Sequence, residues 1–229
     1  DLDIHRTEYE WLRETLADDE SRGVFDAVVR FRKTLEPLYP ASVCRDISLQ
    51  WFDPEFFRPG PHVLVDGGAY DGDTAEAFIK ACPEYRAAHL FEPSGELAAK
   101  ARIRMAGYRG ITVHQSGLDG MRSSAFLENT GTPSGRKAAA GEHVLFEKLD
   151  ELDIEPPTMI KLDVEGCEAG ALLGAEWIIR ERRPLLAVAV YHKPEDLRIV
   201  PRLVSRMQDY KFYLRHYTQF YHETVLYCV

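Results

Sequence analysis

The sequence predicts an α/β fold: a doubly wound, mostly parallel sheet of seven strands that ends in an antiparallel C-terminal hairpin. Strand-like apolar runs alternate with helical stretches from about residue 62 onward. One of these runs, residues 184–192, is apolar almost throughout, which is typical of a strand covered on both faces. Two strand-like segments with a short connection, 210–217 and 223–229, close the chain and predict the hairpin.

The first part of the chain, residues 1–38, is predicted to be helical because its apolar side chains recur at three- and four-residue steps. Pro37 and Pro40 end this helical region. Residues 50–61 are rich in aromatic side chains and are predicted to be a linker or a short helix. We therefore expect a helical extension or cap at residues 1–49 and one larger domain at residues 50–229.

The other elements follow in order. The sequence predicts strands at residues 62–66, 87–92, 110–115 and 157–166, before the apolar strand at 184–192. It predicts helices at 74–82, 94–107, 168–183 and 194–208, the last of them irregular at Pro201. Ser94 and Gly107 suit the start and the end of their helix. The small and polar residues 129–141 are predicted to form a loop.

Composition and charge argue against several classes of function. The net charge of -9 does not suit a general nucleic-acid surface, which would be basic. The longest apolar run, residues 185–190, is far shorter than the ~20 residues that cross a membrane, so no membrane partner is expected. The four cysteines are scattered without the spacing of a zinc site, which is typical of proteins in a reducing compartment. We expect a cytoplasmic protein.

Candidate functional residues follow from the predicted fold, because ligands of open α/β sheets bind beyond the carboxyl ends of the strands. Polar or acidic residues follow all five predicted parallel strands, which packing alone does not explain. They are Asp66 to Gly72 after the first strand, Glu92 after the second, Gln115 to Gly117 after the third, Asp163 and Glu165 after the fourth, and Tyr191 and His192 after the fifth.

The segment VDGGAYDGDT, residues 65–74, contains three glycines and three aspartates. Its glycines do not have the G-x-G-x-x-G spacing of dinucleotide-binding loops. The pattern of Asp66, Gly68 and Gly72 instead fits a turn whose backbone passes close beneath S-adenosylmethionine (SAM), although Tyr70 stands where a glycine is usual. Glu92 could accept hydrogen bonds from both ribose hydroxyls of such a cofactor, or of NAD. A plain tight turn and a solvated glutamate are the alternatives.

The chain resembles the FkbM family of SAM-dependent methyltransferases. The matching segments run from about residue 50 to the C terminus and include QWFDPEFF, VDGGAYDGDTAEAF, HLFEPS, EKLDEL and PLLAVAVYHKPEDL. The most specific are IKLDVEGCE and LRHY followed by ETVLY. The resemblance implies a Rossmann-like methyltransferase fold, SAM at the first two strand ends, and methyl transfer to a hydroxyl, often on a sugar or a secondary metabolite.

The cofactor is accordingly expected to contact residues at four strand ends. These are Asp66, Gly67, Gly68, Ala69, Tyr70, Gly72, Thr74, Glu92, Pro93, Ser94, Ser116, Gly117 and Asp163. No nucleic acid is expected as a partner, and the acceptor is expected to be a small molecule or a glycan.

Transfer to a hydroxyl needs a base, and His192 is the first choice because an imidazole titrates near pH ~6.5. Asp163 and Glu165 are further catalytic candidates. If the strand continues, they share one side with Lys161, which is assigned to the substrate. The two acids could orient the acceptor, act as the base, or bind a divalent metal with His192. No metal is included in the predicted site.

Arg215 and His216 are predicted to contact the substrate from opposite faces of the sixth strand. The arginine could bind a carboxylate or a phosphate, and ordinary surface pairing is the alternative. Two other functions stay open beside the methyltransferase: a non-catalytic SAM-binding module and an NAD-dependent oxidoreductase. The sequence identifies neither the acceptor nor the oligomeric state.

Overall fold

The computed structural model describes residues 1–127, 137–138 and 141–229. The loop predicted at residues 129–141 therefore lies, apart from 137, 138 and 141, outside the described residues. The chain divides into two units, one of residues 58–184 and one of Asp1–Phe57 with Leu185–Val229. The predicted boundary between residues 49 and 50 stays a prediction.

The described strands are numbered along the chain. They are β1 (Val63–Gly67), β2 (Ala87–Phe91), β3 (Ile111–His114), β4 (Gly117–Leu118), β5 (Ser123–Leu127), β6 (Lys137–Ala138), β7 (Glu142–Glu147), β8 (Met159–Leu162), β9 (Leu185–Ala189), β10 (Phe212–His216) and β11 (Thr224–Cys228). The described α-helices are α1 (Arg6–Thr15), α2 (Asp19–Thr34), α3 (Leu38–Ala41), α4 (Asp73–Ala81), α5 (Gly95–Met105), α6 (Glu168–Gly174), α7 (Glu176–Arg182) and α8 (Asp196–Met207). Seven strands form a mixed sheet in the order β10-β11-β9-β8-β1-β2-β3, which confirms the predicted fold class.

In the unit of residues 58–184, strands β8, β1, β2 and β3 are parallel neighbours. Every residue of β1 and β8 is buried, as expected for apolar strands with neighbours on both sides. The register places Asp66 of β1 opposite Lys161 of β8. The strands end close together, so the residues that follow them gather at one edge of the sheet.

This unit also contains a second sheet that the sequence analysis did not predict, with the strand order β4-β7-β5-β6. Val144 and Phe146 of β7 form a small buried cluster, whereas Leu145 between them is exposed. Alternation over so few residues is a weak signal in sequence, because polar neighbours on each side mask its period.

The helix predicted at residues 168–183 is two helices. At the end of α6, a side chain on Gly174 would come within 2.2 Å of the Asp119 carbonyl oxygen. The Asp150 carboxylate then caps the start of α7 by accepting hydrogen bonds from the amides of Trp177 (2.9 Å) and Ile178 (3.1 Å). Both contacts come from residues distant in sequence, which explains why the break was not predicted.

In the unit of Asp1–Phe57 with Leu185–Val229, β11 lies between β9 and β10 and is antiparallel to both. The N-terminal segment is helical, as predicted, and the Asp18 carboxylate caps α2 by accepting from the Ser21 amide at 2.6 Å. Ser21 Oγ accepts a hydrogen bond of 2.9 Å from the Leu214 amide of β10, which joins helix to strand. Helix α8 continues through Pro201, and Val200, Pro201 and Val204 are among its buried residues.

No helix in the described part of the chain is long and apolar enough to cross a membrane. All four cysteines are free thiols.

Candidate functional site

The turn after β1 requires glycine for reasons that lie within the protein. Gly68 has φ +75°, and a Cβ there would come within 1.8 Å of the Asp163 carbonyl oxygen. A Cβ on Gly67 would come within 2.8 Å of the Leu162 side chain. Gly72, with φ +88°, precedes the first residue of α4. The first two glycines thus let the chain after β1 pass directly against the chain after β8.

Beneath this turn lies a buried ion pair. Asp66 and Lys161 are 0% and 1% exposed, and Lys161 Nζ lies 2.9 Å from Asp66 Oδ1. Lys161 Nζ also donates hydrogen bonds to the carbonyl oxygens of Gly67 (3.3 Å) and Gly68 (2.8 Å). Two predictions are corrected here. Neither Asp66 nor Lys161 has surface with which to contact a cofactor or a substrate, and both stabilise the turn instead.

The pKa values of this pair reflect their burial and their mutual attraction. Burial raises the pKa of Asp66, and the charge of Lys161 offsets only part of that rise. Burial alone would lower the pKa of Lys161, but the carboxylates of Asp66 and Asp163 outweigh it and raise the pKa. The ammonium group therefore stays charged beneath the turn.

Glu92, directly after β2, is the acid that faces the turn. Its side chain is buried, and its Oε2 and Oε1 accept hydrogen bonds from the amides of Tyr70 (3.0 Å) and Ser94 (2.9 Å). Burial raises the pKa of Glu92 to about 7, although the two amides oppose the rise. Each oxygen keeps a second lone pair, so the carboxylate can accept two hydroxyl donors from one ligand.

The remaining residues of the predicted cofactor set lie in this same unit. The amides of Gly68 and Ala69 donate to the Phe91 carbonyl oxygen at 3.0 and 3.1 Å, which joins the ends of β1 and β2. Tyr70 has φ +51° and an exposed side chain. Ser94 caps α5, Thr74 lies in the first turn of α4, and Ser116 and Gly117 are buried after β3. Direct contact of these residues with a cofactor stays a prediction.

The segment after β8 differs from the prediction. The strand ends at Leu162, and Glu165 has φ +53° in a turn, so Asp163 and Glu165 do not continue the face on which Lys161 lies. Glu165 is exposed and Asp163 is half-buried. Glu168 Oε1 accepts hydrogen bonds from the amides of Val164 (3.0 Å) and Gly166 (3.3 Å) and thereby shapes the turn.

Arg215, in the other unit, is also corrected. Its side chain is fully buried, and its Nη2 lies 2.8 Å from carboxylate oxygens of both Asp18 and Glu55. Burial acts to lower the pKa of Arg215, but the neighbouring carboxylates outweigh it and raise the pKa. The predicted contact with a substrate anion has no room here, because the protein itself supplies the anions.

His216 and His192 line a cavity of about 750 Å³ in the unit of Asp1–Phe57 with Leu185–Val229. The His216 ring is fixed by Thr224 Oγ1 (2.8 Å) and by the Phe220 carbonyl oxygen (2.8 Å), and burial lowers its pKa. The His192 ring lies 4.2 Å from that of Tyr191. Both histidines thus lie at a site that can hold a ligand, while their catalytic and binding roles stay predictions.

The other side of this cavity is formed by residues that the sequence does not single out. Phe31 and Arg32 of α2 and Tyr221 of the β10–β11 connection line it. They carry no motif, and α2 gives the sequence signal of an ordinary amphipathic helix. Only the packing of α2 in this unit could have identified them.

A seven-stranded mixed sheet with a glycine turn after its first strand and an acid after its second is the architecture of Rossmann-like methyltransferases. The chain belongs to the FkbM methyltransferase domain family, whose model matches residues 66–217. No curated protein matches the chain in sequence.

Among solved structures, the chain is similar to a methyltransferase FkbM from Methylobacillus flagellatus KT, with a TM-score of 0.88 and 26% identity. The similarity covers 100% of this chain and 60% of that one, so the present chain spans less than two thirds of its relative. Weaker similarity is found to a precorrin-6y C5,15-methyltransferase from Geobacter metallireducens GS-15 (TM-score 0.48, 12% identity, 76% of this chain and 82% of that one). Aeropyrum pernix fibrillarin with natively bound S-adenosyl-L-methionine has a TM-score of 0.47 and 13% identity over 75% of this chain and 67% of that one.

Proposed function

We propose that this protein transfers a methyl group from SAM to a hydroxyl of a small-molecule or glycan acceptor in the cytoplasm. Membership of the FkbM family supports the reaction class. The observation that carries the cofactor assignment is the buried Glu92 carboxylate, which the amides of Tyr70 and Ser94 fix beside the glycine turn. A carboxylate held in this way suits a vicinal diol such as that of ribose.

The residues present fit the cofactor. Glu92 would hold the ribose, the turn formed by Gly67 to Gly72 would face the rest of the cofactor, and Ser116 and Gly117 would border it after β3. When bound, SAM supplies an electrophilic methyl group on a sulfonium centre. The buried Asp66–Lys161 pair keeps the backbone of the turn in place without touching the ligand.

In such a transfer the methyl carbon would leave the sulfur for the acceptor oxygen, and the acceptor hydroxyl would lose its proton. We assign that proton to the imidazole of His192, which lines a cavity and belongs to a residue type that titrates near pH ~6.5. Asp163 and Glu165 stay alternatives for the base or for orienting the acceptor. Replacing His192 by Asn should then lower turnover without changing cofactor affinity.

The first experiment is a calorimetric titration with S-adenosylhomocysteine, with NADH as the comparison ligand. We expect micromolar binding of the former and none of the latter. Replacing Glu92 by Ala should weaken binding roughly 100-fold, because about 2–3 kcal/mol of charge-assisted hydrogen bonding to the ribose is lost.

The matched control is Glu96→Ala, which removes an exposed carboxylate from the first turn of α5 and should leave the affinity unchanged. Binding of NADH in place of S-adenosylhomocysteine would favour the oxidoreductase. S-adenosylhomocysteine binding without methyl transfer to any hydroxyl acceptor would favour the non-catalytic SAM-binding module.

A further inference from the structure

Arg32 of α2 is a half-buried arginine that lines this cavity and forms no ion pair with a carboxylate in the described part of the chain. Its Nη1 and Nη2 donate hydrogen bonds to the carbonyl oxygens of Pro194 (2.7 Å) and Val190 (3.4 Å). Burial lowers the pKa of Arg32, and the Tyr9 hydroxyl, Asp196 and Glu195 oppose that shift without forming an ion pair with it. A guanidinium that is partly shielded from water and forms no ion pair can bind an anionic ligand at the cavity that it lines.

The other charged groups that line the cavity leave this positive charge uncompensated. Asp1 is engaged by Arg198, whose Nη2 lies 3.1 Å from its Oδ1. Asp3 and Lys33 are exposed at the rim and are of opposite sign. Arg32 therefore remains, among the described lining residues, a partly buried cation without an ion pair.

Aromatic rings form another part of the lining. The rings of Phe31 and Tyr221 are parallel within 6° at a centroid distance of 6.4 Å. Tyr221 and Phe220 are 64% and 60% exposed although both line the cavity. Exposed aromatic side chains grouped around a concave site are typical of surfaces that stack on the flat face of a ring.

We propose that this cavity binds a ring-bearing ligand with an acidic group, a carboxylate or a phosphate, which Arg32 binds while Tyr221 stacks on the ring. A volume of about 750 Å³ accommodates a ligand of one to two rings. The guanidinium offers planar donors that match either anion. That this ligand is the methyl acceptor rests on the proposed function, whereas the binding site itself does not.

The test uses two probes that differ only by the acidic group, 4-nitrophenyl β-D-glucuronide and 4-nitrophenyl β-D-glucoside, titrated calorimetrically. We expect the glucuronide to bind at least about tenfold more tightly than the glucoside. Arg32→Gln should abolish the preference, and Arg32→Lys should retain part of it. Tyr221→Ala should weaken both probes by a similar factor. A titration with 4-nitrophenyl phosphate tests whether the site binds a phosphate group as well as a carboxylate.

Arg30→Gln is the matched control, since it removes an exposed charge from the same helix outside the cavity and should leave the preference intact. Equal affinity for the two glycosides, or a preference that survives in Arg32→Gln, would overturn the proposal, as would the failure of all three probes to bind. S-adenosylhomocysteine is titrated into the same samples. If S-adenosylhomocysteine binds and none of the probes does, only the proposed ligand of the cavity is contradicted. If the probes bind and S-adenosylhomocysteine does not, only the proposed cofactor is contradicted.

Discussion

Two regions of the molecule differ in how their charged side chains are paired: the strand ends of residues 58–184 and the cavity of Asp1–Phe57 with Leu185–Val229. In the first region, Asp66 and Lys161 are both buried and neutralise each other at 2.9 Å. In the second, Arg32 is half-buried, donates hydrogen bonds to two backbone carbonyl oxygens, contacts Tyr9, and forms no ion pair with a carboxylate among the described residues. A buried charge that the protein pairs stabilises its structure. A cation at a cavity that lacks such a pair is a candidate for binding an anionic ligand.

Two arginines of the second region differ in the same respect, since one is paired with carboxylates and the other is not. Arg215 is paired with Asp18 and Glu55 and holds α2 and the segment around residue 55 against β10. Arg32 has no such carboxylates in the described structure. The sequence predicts Arg215 as the substrate-binding arginine, whereas Arg32 is the arginine that lines the cavity.

The largest expected effect tests whether the glycine turn is held by internal packing. Gly68→Ala should destabilise the protein by about 3–5 kcal/mol, because the new Cβ meets a backbone carbonyl oxygen at 1.8 Å and the residue keeps a positive φ. Urea unfolding measures the loss. Gly107→Ala is the control, since nothing lies within 4 Å of its Cβ, and it should change stability by less than about 0.5 kcal/mol. Similar stabilities for both variants would contradict the packing described for the turn.

The two arginines should differ in their effect on stability. Arg215→Gln should cost about 2 kcal/mol, less than for a fully buried pair because Asp18 and Glu55 are partly exposed. Arg32→Gln should cost less than about 1 kcal/mol, since no carboxylate loses its partner. The free energies of unfolding in urea give the comparison. If Arg32→Gln were the more damaging, Arg32 would be a structural residue and the contrast would be lost.

The smallest effect concerns pH. Because burial raises the pKa of Glu92 to about 7, the free protein increasingly protonates this group below pH 7, while ribose hydroxyls require the ionised form. S-adenosylhomocysteine should therefore bind roughly five- to tenfold more weakly at pH 6 than at pH 7.5. Glu92→Gln should bind weakly with little dependence on pH. A wild-type affinity that stays constant over this range would show that Glu92 does not contact the ligand.

The raised pKa of Glu92 also affects stability. It makes the free energy of unfolding fall as the pH rises, whereas the lowered pKa of a salt-bridged acid makes it rise. The folded state holds the Glu92 proton more tightly than the unfolded state, whose glutamate titrates near pH ~4.3. The contribution of Glu92 to the free energy of unfolding is therefore greatest at low pH and declines as the pH rises from there to about 7.

Local features of the chain were predicted well. The apolar strands, the Ser94 cap and the glycine turn depend on neighbouring residues, so their signals are contained in short segments. The break between α6 and α7 and the second sheet depend on contacts with distant residues or on very short alternating strands, and neither leaves a readable local pattern.

The sequence by itself determined the fold class and the family, because strand periodicity and the residues that end each strand are properties of the chain order. The position of the cofactor site stays a prediction from the same residues. The tertiary structure decided which polar residues are available to a ligand. Asp66, Lys161 and Arg215 have the chemistry of binding residues, but each is buried against an opposite charge. Arg32 had no motif to distinguish it, and it became a candidate because folding placed it at a cavity without an ion pair among the described residues. Burial and pairing are relations between distant residues, and only the folded chain brings those residues together.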